Sequence, residues 1–377
     1  MSTQPLNYVE ISQKALLANT LALRSLCSAG TRLIAVVKAN AYGHGLAEVV
    51  KTVASEVDAF AVDDLDELAA IRRLTNQPVL VLGYVPCSQL ADAVALEATL
   101  GIYNLEQLQI LDELGQKLGR KPTVHIKIDA LLGRQGVPLN EIESFAQAAQ
   151  AYRHINIAAI YSHFSNIEDT MDLSHTKRQV EEFKKATDVF KHLGYQLFTH
   201  ISATSGLMTY DHLREQNAYA RCGIGLYGMW PSQALKNIQT TKITLKPVLR
   251  WVSHLAQVKL LPADYPIGYG LTHITSKPTK LAIVPQGYSD GYDRSLSNLG
   301  QVLVRGKRCR VLGRVAMNMF AIDVTQVPDA ELEDEVVLLG RQGTDQITAE
   351  ELADKINSIN YEITARLPAV LPRVLVN

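Results

Sequence analysis

The sequence predicts an α/β protein with an N-terminal (β/α)8 barrel of the TIM type, followed by a mostly β C-terminal domain. Short apolar runs alternate with helical segments over roughly the first 230 residues, and about eight of them occur there. After residue 240, strand-like segments follow one another with few helical intervals. We therefore expect a barrel over 1–240 and a second domain over 241–377. The alternative is that the first strand joins the C-terminal domain.

Eight apolar runs are the predicted barrel strands. They lie at 32–39, 59–62, 78–83, 100–104, 124–129, 155–163, 198–202 and 223–228. Alternation of strand and helix favours a parallel sheet covered by helices, because parallel strands need crossover connections. A closed barrel fits this number of units in this length better than an open sheet does.

Helix boundaries are visible in both halves of the chain. The segment 63–74 begins with acidic residues that can cap a helix, and the segment 174–194 carries an apolar stripe that ends at Gly194. In the second half, Thr348 is a candidate N-cap for a late helix. The strand-like segments there are 249–261, 279–288, 301–325 and 333–341.

Composition excludes several classes of function. A net charge of −1 over 377 residues gives no electrostatic reason to expect nucleic acid or an anionic membrane as a partner. The cysteines lie far apart without CxxC spacing, so we expect no metal site and no disulfide framework; they are Cys27, Cys87, Cys222 and Cys309. The N-terminal segment lacks the pattern of an export signal, and no apolar run is long enough to span a bilayer. We expect a cytoplasmic protein.

Lys38 stands where the first barrel strand ends, in the stretch IAVVKANAYGHG. A lysine at a strand end ordinarily lays its stem along apolar surface and keeps its ammonium in water. In a barrel, however, that end lies on the face where barrel enzymes carry their chemistry. Desolvation there favours the neutral amine, the form that condenses with a carbonyl. Other predicted strand ends add polar residues to the same face: Lys127, Arg134, His163, 200–204 and Arg221.

The segment GIGLYG (223–228) formally matches the dinucleotide fingerprint GxGxxG. Its context does not match, because MWPS follows instead of a helix and no acidic residue lies about 20 residues further on. Two interpretations stay open. The backbone N–H groups of this segment hold one phosphate, or the glycines only permit close packing.

Eight segments, taken in order, resemble the pyridoxal-phosphate-dependent alanine racemase family of fold type III. They are AVVKANAYGHG, VHIKIDALLGRQG, YSHF, RCGIGLYG, IGYG, GYSDGY, GRVAMNMF and INYE. The resemblance as a whole extends from about Tyr8 to Arg373. The resemblance implies a pyridoxal 5′-phosphate cofactor and the interconversion of L- and D-alanine, with D-alanine supplied for peptidoglycan. It also implies a head-to-tail homodimer that shares its active sites between subunits.

The resemblance implies two catalytic residues, Lys38 as the cofactor lysine and one base, and Tyr269 as the opposing base from the partner subunit. Two bases are needed because a proton leaves one face of Cα and another arrives at the opposite face. The implied cofactor-binding residues are Lys38, Tyr42, His163, Thr204, Arg221, Gly223, Ile224 and Tyr361. Arg134 and Met317 are implied to bind the substrate, Lys127 to be carbamylated, and Tyr288 to line the entrance.

Some positions depart from the family pattern. The segment 130–132 (Ala-Leu-Leu) makes the approach to Arg134 bulkier, Thr204 replaces a more usual serine, and Asn318 stands where an acid is usual. One alternative is a racemase of serine or of broader specificity, because pocket shape discriminates small side chains poorly. Others are a non-catalytic pyridoxal phosphate carrier, against which the second domain and Tyr269 argue, and a fold-related basic amino-acid decarboxylase.

Overall fold

The computed structural model describes residues 5–168, 172–209, 218–239 and 242–377. The chain divides into two compact units. We call Ala15–Ala39 with Val49–Lys246 the barrel unit, and Met1–Lys14 with Asn40–Glu48 and Pro247–Asn377 the β-rich unit. The domain boundary expected at 240–241 lies outside the described residues.

The strands of the first part of the chain are β1 (Tyr8–Ser12), β2 (Arg32–Val36), β3 (Ala59–Val62), β4 (Val79–Val81), β5 (Thr99–Ile102), β6 (Thr123–Asp129), β7 (Val137–Pro138), β8 (Asn156–Tyr161), β9 (Phe198–His200) and β10 (Tyr219–Cys222). Those of the second part are β11 (Leu249–His254), β12 (Gln257–Leu261), β13 (Pro266–Ile267), β14 (His273–Ile274), β15 (Thr279–Val284), β16 (Gln301–Val304), β17 (Lys307–Leu312), β18 (Phe320–Asp323), β19 (Glu335–Gln342), β20 (Asp345–Ile347) and β21 (Arg373–Val376).

The helices are α1 (Gln13–Ser25), α2 (Lys38–Tyr42), α3 (Leu46–Val53), α4 (Leu65–Arg72), α5 (Leu90–Ala95), α6 (Leu105–Leu118), α7 (Ile142–Ala149), α8 (Ser174–His192), α9 (Thr204–Thr209), α10 (Gln233–Gln239), α11 (Ala349–Lys355) and α12 (Asn360–Ala365). Predicted caps are confirmed in two of them. The carboxylate of Asp64 accepts from the N–H of Glu67 at the start of α4, and the hydroxyl of Thr348 accepts from that of Glu351 in α11.

The barrel unit contains a parallel sheet in the order β10-β2-β3-β4-β5-β6-β8-β9, with β7 beside β6. Its two end strands approach each other. The N–H of Arg221 donates to the carbonyl of Ser202 at 3.1 Å, and the N–H of Ala218 donates to that of Thr199 at 3.0 Å. The sheet is therefore a nearly closed (β/α)8 barrel, as predicted. Its strands read as near-continuous apolar runs because both faces are buried.

The eighth predicted strand was wrong in its position. The strand is β10, which ends at Cys222, and the glycine segment that follows forms turns. In those turns the N–H of Leu226 donates to the carbonyl of Gly223 at 2.9 Å, and that of Gly228 to Gly225 at 3.1 Å. Glycine weakens a strand because it brings no side chain to pack and loses more backbone entropy.

The β-rich unit is built on a mainly antiparallel sheet in the order β12-β15-β18-β17-β16-β19-β11-β1-β21, with β20 beside β19. The predicted mostly β character of this half is confirmed. The N-terminal strand β1 pairs with β11 antiparallel and with β21 in parallel. The first strand of the chain thus lies in the sheet formed by its last third.

The element α2 is a left-handed helical turn. The four residues that follow Lys38 have φ between 52° and 55°. A left-handed conformation costs roughly 1–2 kcal/mol for each non-glycine residue. Asn40 tolerates it best, and Gly43 and Gly45 continue the chain with φ of 82° and 96°. Such strain persists only where surrounding contacts hold it.

Candidate active site

Lys38 lies just beyond β2, and Asp63 lies just beyond the neighbouring strand β3. The lysine Nζ is 3.1 Å from Oδ1 of Asp63, and the two side chains are 40% and 54% exposed. An ion pair this exposed contributes little stability. Lys38 is therefore held loosely and remains reachable at the barrel face where it was expected. Asp63 was not predicted, although its place after the next strand was visible in the sequence.

Arg221, on β10, is a buried cation of the barrel unit, with 4% of its surface exposed. Its guanidinium donates to Nδ1 of His200 at 2.5 Å, to the carbonyl of Ser162 at 2.7 Å and to Nδ1 of His163 at 3.3 Å. Burial lowers the pKa of Arg221 to about 10. This value is still well above neutral pH, and the guanidinium therefore stays charged. Of the two imidazoles, that of His200 makes the shorter contact with Arg221.

The guanidinium fixes the protonation of its histidine neighbours. Because arginine only donates, Nδ1 of His200 must accept, and the His200 proton sits on Nε2. That Nε2 lies 3.0 Å from Nδ1 of His125. Burial, aided by the charge of Arg221, lowers the pKa of His125 and of His163 to about 3 and that of His200 well below its usual value. His125 lies inside a strand, and nothing in the sequence distinguishes it as a functional residue.

One donor of Arg221 is left over. Its Nε–H makes no hydrogen bond to any residue of the described ranges, whereas both terminal nitrogens do. A charged donor held in place by fixed acceptors suits an aromatic ring nitrogen, which can accept but has no charge to offer.

Lys127 is buried inside β6 and donates from Nζ to Oε1 of Gln135 at 2.9 Å. Burial, with the charges of Arg134, Arg221 and Lys38, lowers the pKa of Lys127 to about 8. Roughly a tenth of it is then a neutral amine at pH 7. The sequence did not single out Gln135 as its partner.

Asp129 shapes the loop that carries Arg134. Its carboxylate accepts from the backbone N–H groups of Leu132 and Gly133, both at 3.0 Å, and of Arg134 at 3.1 Å. Arg134 itself is exposed. Leu131 adopts a left-handed φ of 63° in this loop, an unusual conformation for leucine. The departure of 130–132 from the family pattern thus coincides with a strained loop.

Thr204 begins α9 and faces the glycine turn after β10. Its Oγ1 accepts from the N–H of Gly223 at 3.2 Å and from that of Gly225 at 3.5 Å. A Cβ on Gly225 would lie 2.7 Å from Cγ2 of Thr204, so this close approach requires glycine. The turn that includes Ile224 therefore lies against a hydroxyl group. Turn N–H groups and hydroxyls are donors that phosphate accepts from.

The remaining predicted residues belong to the β-rich unit. Tyr42, at the end of α2, and Tyr361, in α12, have ring centroids 6.1 Å apart with an interplanar angle of 43°. Tyr288 and Met317 lie on adjoining segments, since the N–H of Ser289 donates to the Met317 carbonyl at 3.0 Å. Tyr269 is 72% exposed on a short turn.

Comparison with known proteins identifies the family. Residues 11–231 match the family described as alanine racemase, N-terminal domain, and residues 248–375 match alanine racemase, C-terminal domain. The chain belongs to the alanine racemase family. The resemblance stated from the sequence motifs is confirmed, as is the predicted isomerase class.

Individual members of the family show the extent of the likeness. A curated alanine racemase of Syntrophobacter fumaroxidans is 37% identical over 359 residues, covering 95% of this chain and 94% of the relative. A solved alanine racemase of Clostridium difficile 630 has a TM-score of 0.92 at 29% identity and covers 100% of this chain and 97% of that one. An alanine racemase of Bartonella henselae, solved with covalently bound pyridoxal phosphate, shares the fold with a TM-score of 0.87 at 23% identity, covering 99% of this chain and 100% of that chain.

Two further observations concern the described ranges only. No helix there is both long and apolar enough to cross a membrane. No group of three or more His, Cys, Asp or Glu side chains in those ranges is arranged to hold a metal ion.

Proposed function

We propose that this chain is a pyridoxal 5′-phosphate-dependent alanine racemase that interconverts L- and D-alanine. Family membership supports the reaction. The observation that carries the proposal for this chain is the buried guanidinium of Arg221, whose Nε–H has no partner among the described residues, in the same barrel unit as the reachable Lys38. An amine for an aldehyde and a donor for a ring nitrogen are the two groups that this cofactor needs.

The donor set of the chain fits the cofactor. Lys38 would hold its aldehyde carbon and Arg221 its ring nitrogen. Thr204 and the backbone of Gly223 and Ile224 would hold the phosphate, and the β-rich unit adds the phenols of Tyr42 and Tyr361. When bound, pyridoxal phosphate supplies an electron sink that acidifies the Cα–H of an amino acid. Because Arg221 only donates and keeps its charge, it leaves the ring nitrogen unprotonated.

The proton transfers fall to two side chains. Lys38 Nζ takes or delivers the Cα proton on one face, and Oη of Tyr269 does so on the other. Arg134 and the backbone of Met317 would hold the substrate carboxylate region, and Tyr288 would narrow the entrance. In its carbamylated form Lys127 would be an anion, which suits a pocket that already contains Arg134 and Arg221.

We further propose a head-to-tail homodimer in which each site is completed by the partner's Tyr269. The exposure of the residues concerned supports this arrangement. Tyr269 is 72% exposed, Met317 56% and Tyr288 43%, in spite of their apolar surface. Exposed large apolar side chains on adjoining segments, as those of Tyr288 and Met317 are, favour an interaction site. The D-alanine formed would serve peptidoglycan synthesis.

The test is incubation of the purified protein with pyridoxal phosphate and L-alanine in deuterium oxide, followed by chiral chromatography with mass detection. D-alanine carrying α-deuterium is the expected product, and Lys38→Ala should not form it. Conversion of serine but not of alanine would favour the broader racemase, and carbon dioxide release would favour a decarboxylase. A protein that binds the cofactor and exchanges no Cα proton would contradict the proposal and favour the carrier.

A further inference from the structure

The strained turn α2 is held by contacts from the residues that follow it. His44, which is 1% exposed, lies with Nδ1 3.1 Å from the carbonyl oxygen of Ala41 and 3.0 Å from that of Tyr42. Carbonyl oxygens can only accept, so the proton of this imidazole must be on Nδ1. One N–H thus donates to two successive carbonyls of a left-handed turn.

Two other side chains anchor the same stretch of the β-rich unit. Asn40 accepts at Oδ1 from the N–H of Leu46 at 2.8 Å, and the Arg373 guanidinium donates to the carbonyl of Gly43 at 2.7 Å. These contacts hold the backbone before and after Tyr42. The contact from His44 reaches the carbonyl of Tyr42 itself, and therefore bears on the peptide plane that orients this tyrosine.

We propose that His44 is a positioning residue that holds the left-handed turn and thereby keeps the phenol of Tyr42 beside that of Tyr361, where the pair binds a phosphate group. The proposal rests on the proposed function, in which that phosphate belongs to the cofactor. His44 touches neither cofactor nor substrate in this account. It acts through the backbone of Ala41 and Tyr42.

The charge of His44 is constant in the working range of such an enzyme. Burial, with a smaller contribution from the charge of Arg373, lowers the pKa of His44 to about 4 against the opposing effect of its two backbone hydrogen bonds. The ring is therefore neutral at neutral pH, with its single proton already committed to the turn. A buried histidine that only filled space would have no need of a particular tautomer.

Amide isosteres separate the two ring nitrogens. The side-chain nitrogen of asparagine occupies approximately the place of histidine Nδ1, whereas that of glutamine occupies the place of Nε2. His44→Asn can thus keep the donor to the turn, and His44→Gln loses it while remaining polar and similar in size. Rescue by asparagine but not by glutamine is a result that a purely space-filling role does not give.

The experiment titrates the cofactor-free protein with pyridoxal 5′-phosphate and, separately, with pyridoxal, which lacks the phosphate, and follows both by absorbance and fluorescence. For His44→Gln we expect binding of pyridoxal phosphate about tenfold weaker, with pyridoxal binding within about twofold of wild type. For His44→Asn we expect both affinities within about threefold of wild type. The phosphate-specific loss distinguishes positioning of Tyr42 from general damage.

Two controls complete the design. His192 also makes an Nδ1 contact with a helix carbonyl, that of Asp188 at 2.6 Å, but on the exposed face of α8. His192→Gln should leave both affinities unchanged. In a background that carries Tyr42→Phe, His44→Gln should weaken pyridoxal phosphate binding by much less than it does alone, because both changes act on one contact.

Three outcomes would overturn the proposal: equal affinities of His44→Gln and wild type, equal losses for the two ligands, or a His44→Asn protein as weak as His44→Gln. A measurement on the unmutated protein adds a fourth, since long-range ¹H–¹⁵N spectra that put the His44 proton on Nε2 would also contradict it. Wild-type protein that binds pyridoxal phosphate but does not racemise alanine would overturn the proposed activity alone.

Discussion

At the scale of single residues, one permanent charge controls the protonation of its neighbours. The guanidinium of Arg221 is buried and cannot lose its proton at neutral pH. Together with burial, its charge lowers the pKa of His125, His163, His200 and Lys127. The three imidazoles are therefore neutral, and Lys127 is partly a free amine. The neutral imidazoles around this fixed cation leave its charge available to a ligand.

The state of Lys127 gives a residue-scale prediction. Carbamylation joins the neutral amine nitrogen to the carbon of carbon dioxide and releases a proton, so it needs the unprotonated amine. In Gln135→Glu a carboxylate would replace the amide oxygen that lies 2.9 Å from Nζ. That charge raises the pKa of Lys127 from about 8 and repels the carbamate anion. With ¹³C-bicarbonate at pH 8, we expect a ¹³C carbamate resonance from wild type and its loss in Gln135→Glu.

Controls for this prediction are available in the same chain. Lys127→Arg should lack the resonance, which assigns it to this side chain. Gln147→Glu adds the same charge on the exposed side of α7 and should retain it. A resonance of equal strength in Gln135→Glu and wild type would refute the assigned influence of Gln135. Its absence from wild type would show that Lys127 stays unmodified.

The residues that sequence reasoning identified differ in kind from those it missed. Lys38 and Arg221 stand out because they interrupt or end apolar runs. A charged side chain is unusual there, since burial of a charge is unfavourable unless it is paired. Gln135 and Asp63 occupy polar loops in which any hydrophilic residue is unremarkable. Their partners, Lys127 and Lys38, lie 8 and 25 positions away along the chain. The pairing of β2 with β3 brings Asp63 to Lys38, and the fold of the loop after β6 brings Gln135 to Lys127.

At the scale of elements, apolar runs located the buried strands because parallel strands covered on both faces consist of such runs. The run 223–228 was wrongly predicted as a strand. Its glycines separate apolar residues that form turns and not an extended strand. The left-handed α2 has no comparable signal. Its sequence, Lys-Ala-Asn-Ala-Tyr, has ordinary propensity for a right-handed helix. The left-handed conformation is instead stabilised by contacts from His44 and Arg373, which lie outside the element.

Gly43 provides an element-scale prediction. Its φ of 82° is left-handed, and a Cβ would lie 1.8 Å from the carbonyl oxygen of Thr364. Gly30 has a similar φ of 87° with nothing within 4 Å of its Cβ position. We expect Gly30→Ala to lower the free energy of unfolding by about 1 kcal/mol. Gly43→Ala should lower it by at least about 2 kcal/mol more, because backbone must move to relieve the clash.

Urea denaturation followed by circular dichroism measures both values, with unchanged m-values as the condition for comparing them. The Gly30 variant isolates the conformational cost, and the difference between the two isolates the close approach to α12. Equal losses for the two variants would mean that the backbone around Thr364 yields easily. The turn would then be far less constrained than its contacts indicate.

At the scale of the whole molecule, the order of barrel and β-rich sheet follows from the change in sequence texture near residue 240. The alternation of segments of the two units along the chain does not follow from it. β1 joins the C-terminal sheet through β11 and β21, and Asn40–Glu48 belongs to the β-rich unit although it sits between two barrel segments. Hydrophobic periodicity identifies a strand but not its partner, because one apolar face can be buried against any other.

The proposed sharing of Tyr269 between subunits predicts complementation. Lys38→Ala and Tyr269→Phe should each be inactive alone. After subunit exchange, half of the dimers are mixed and each mixed dimer has one site with both residues intact, so about a quarter of wild-type activity should return. The double variant mixed with either single variant should recover nothing, because no site then holds both groups. Sites built within one chain would give no recovery in any mixture, since every chain lacks one base, and that result would refute the shared site.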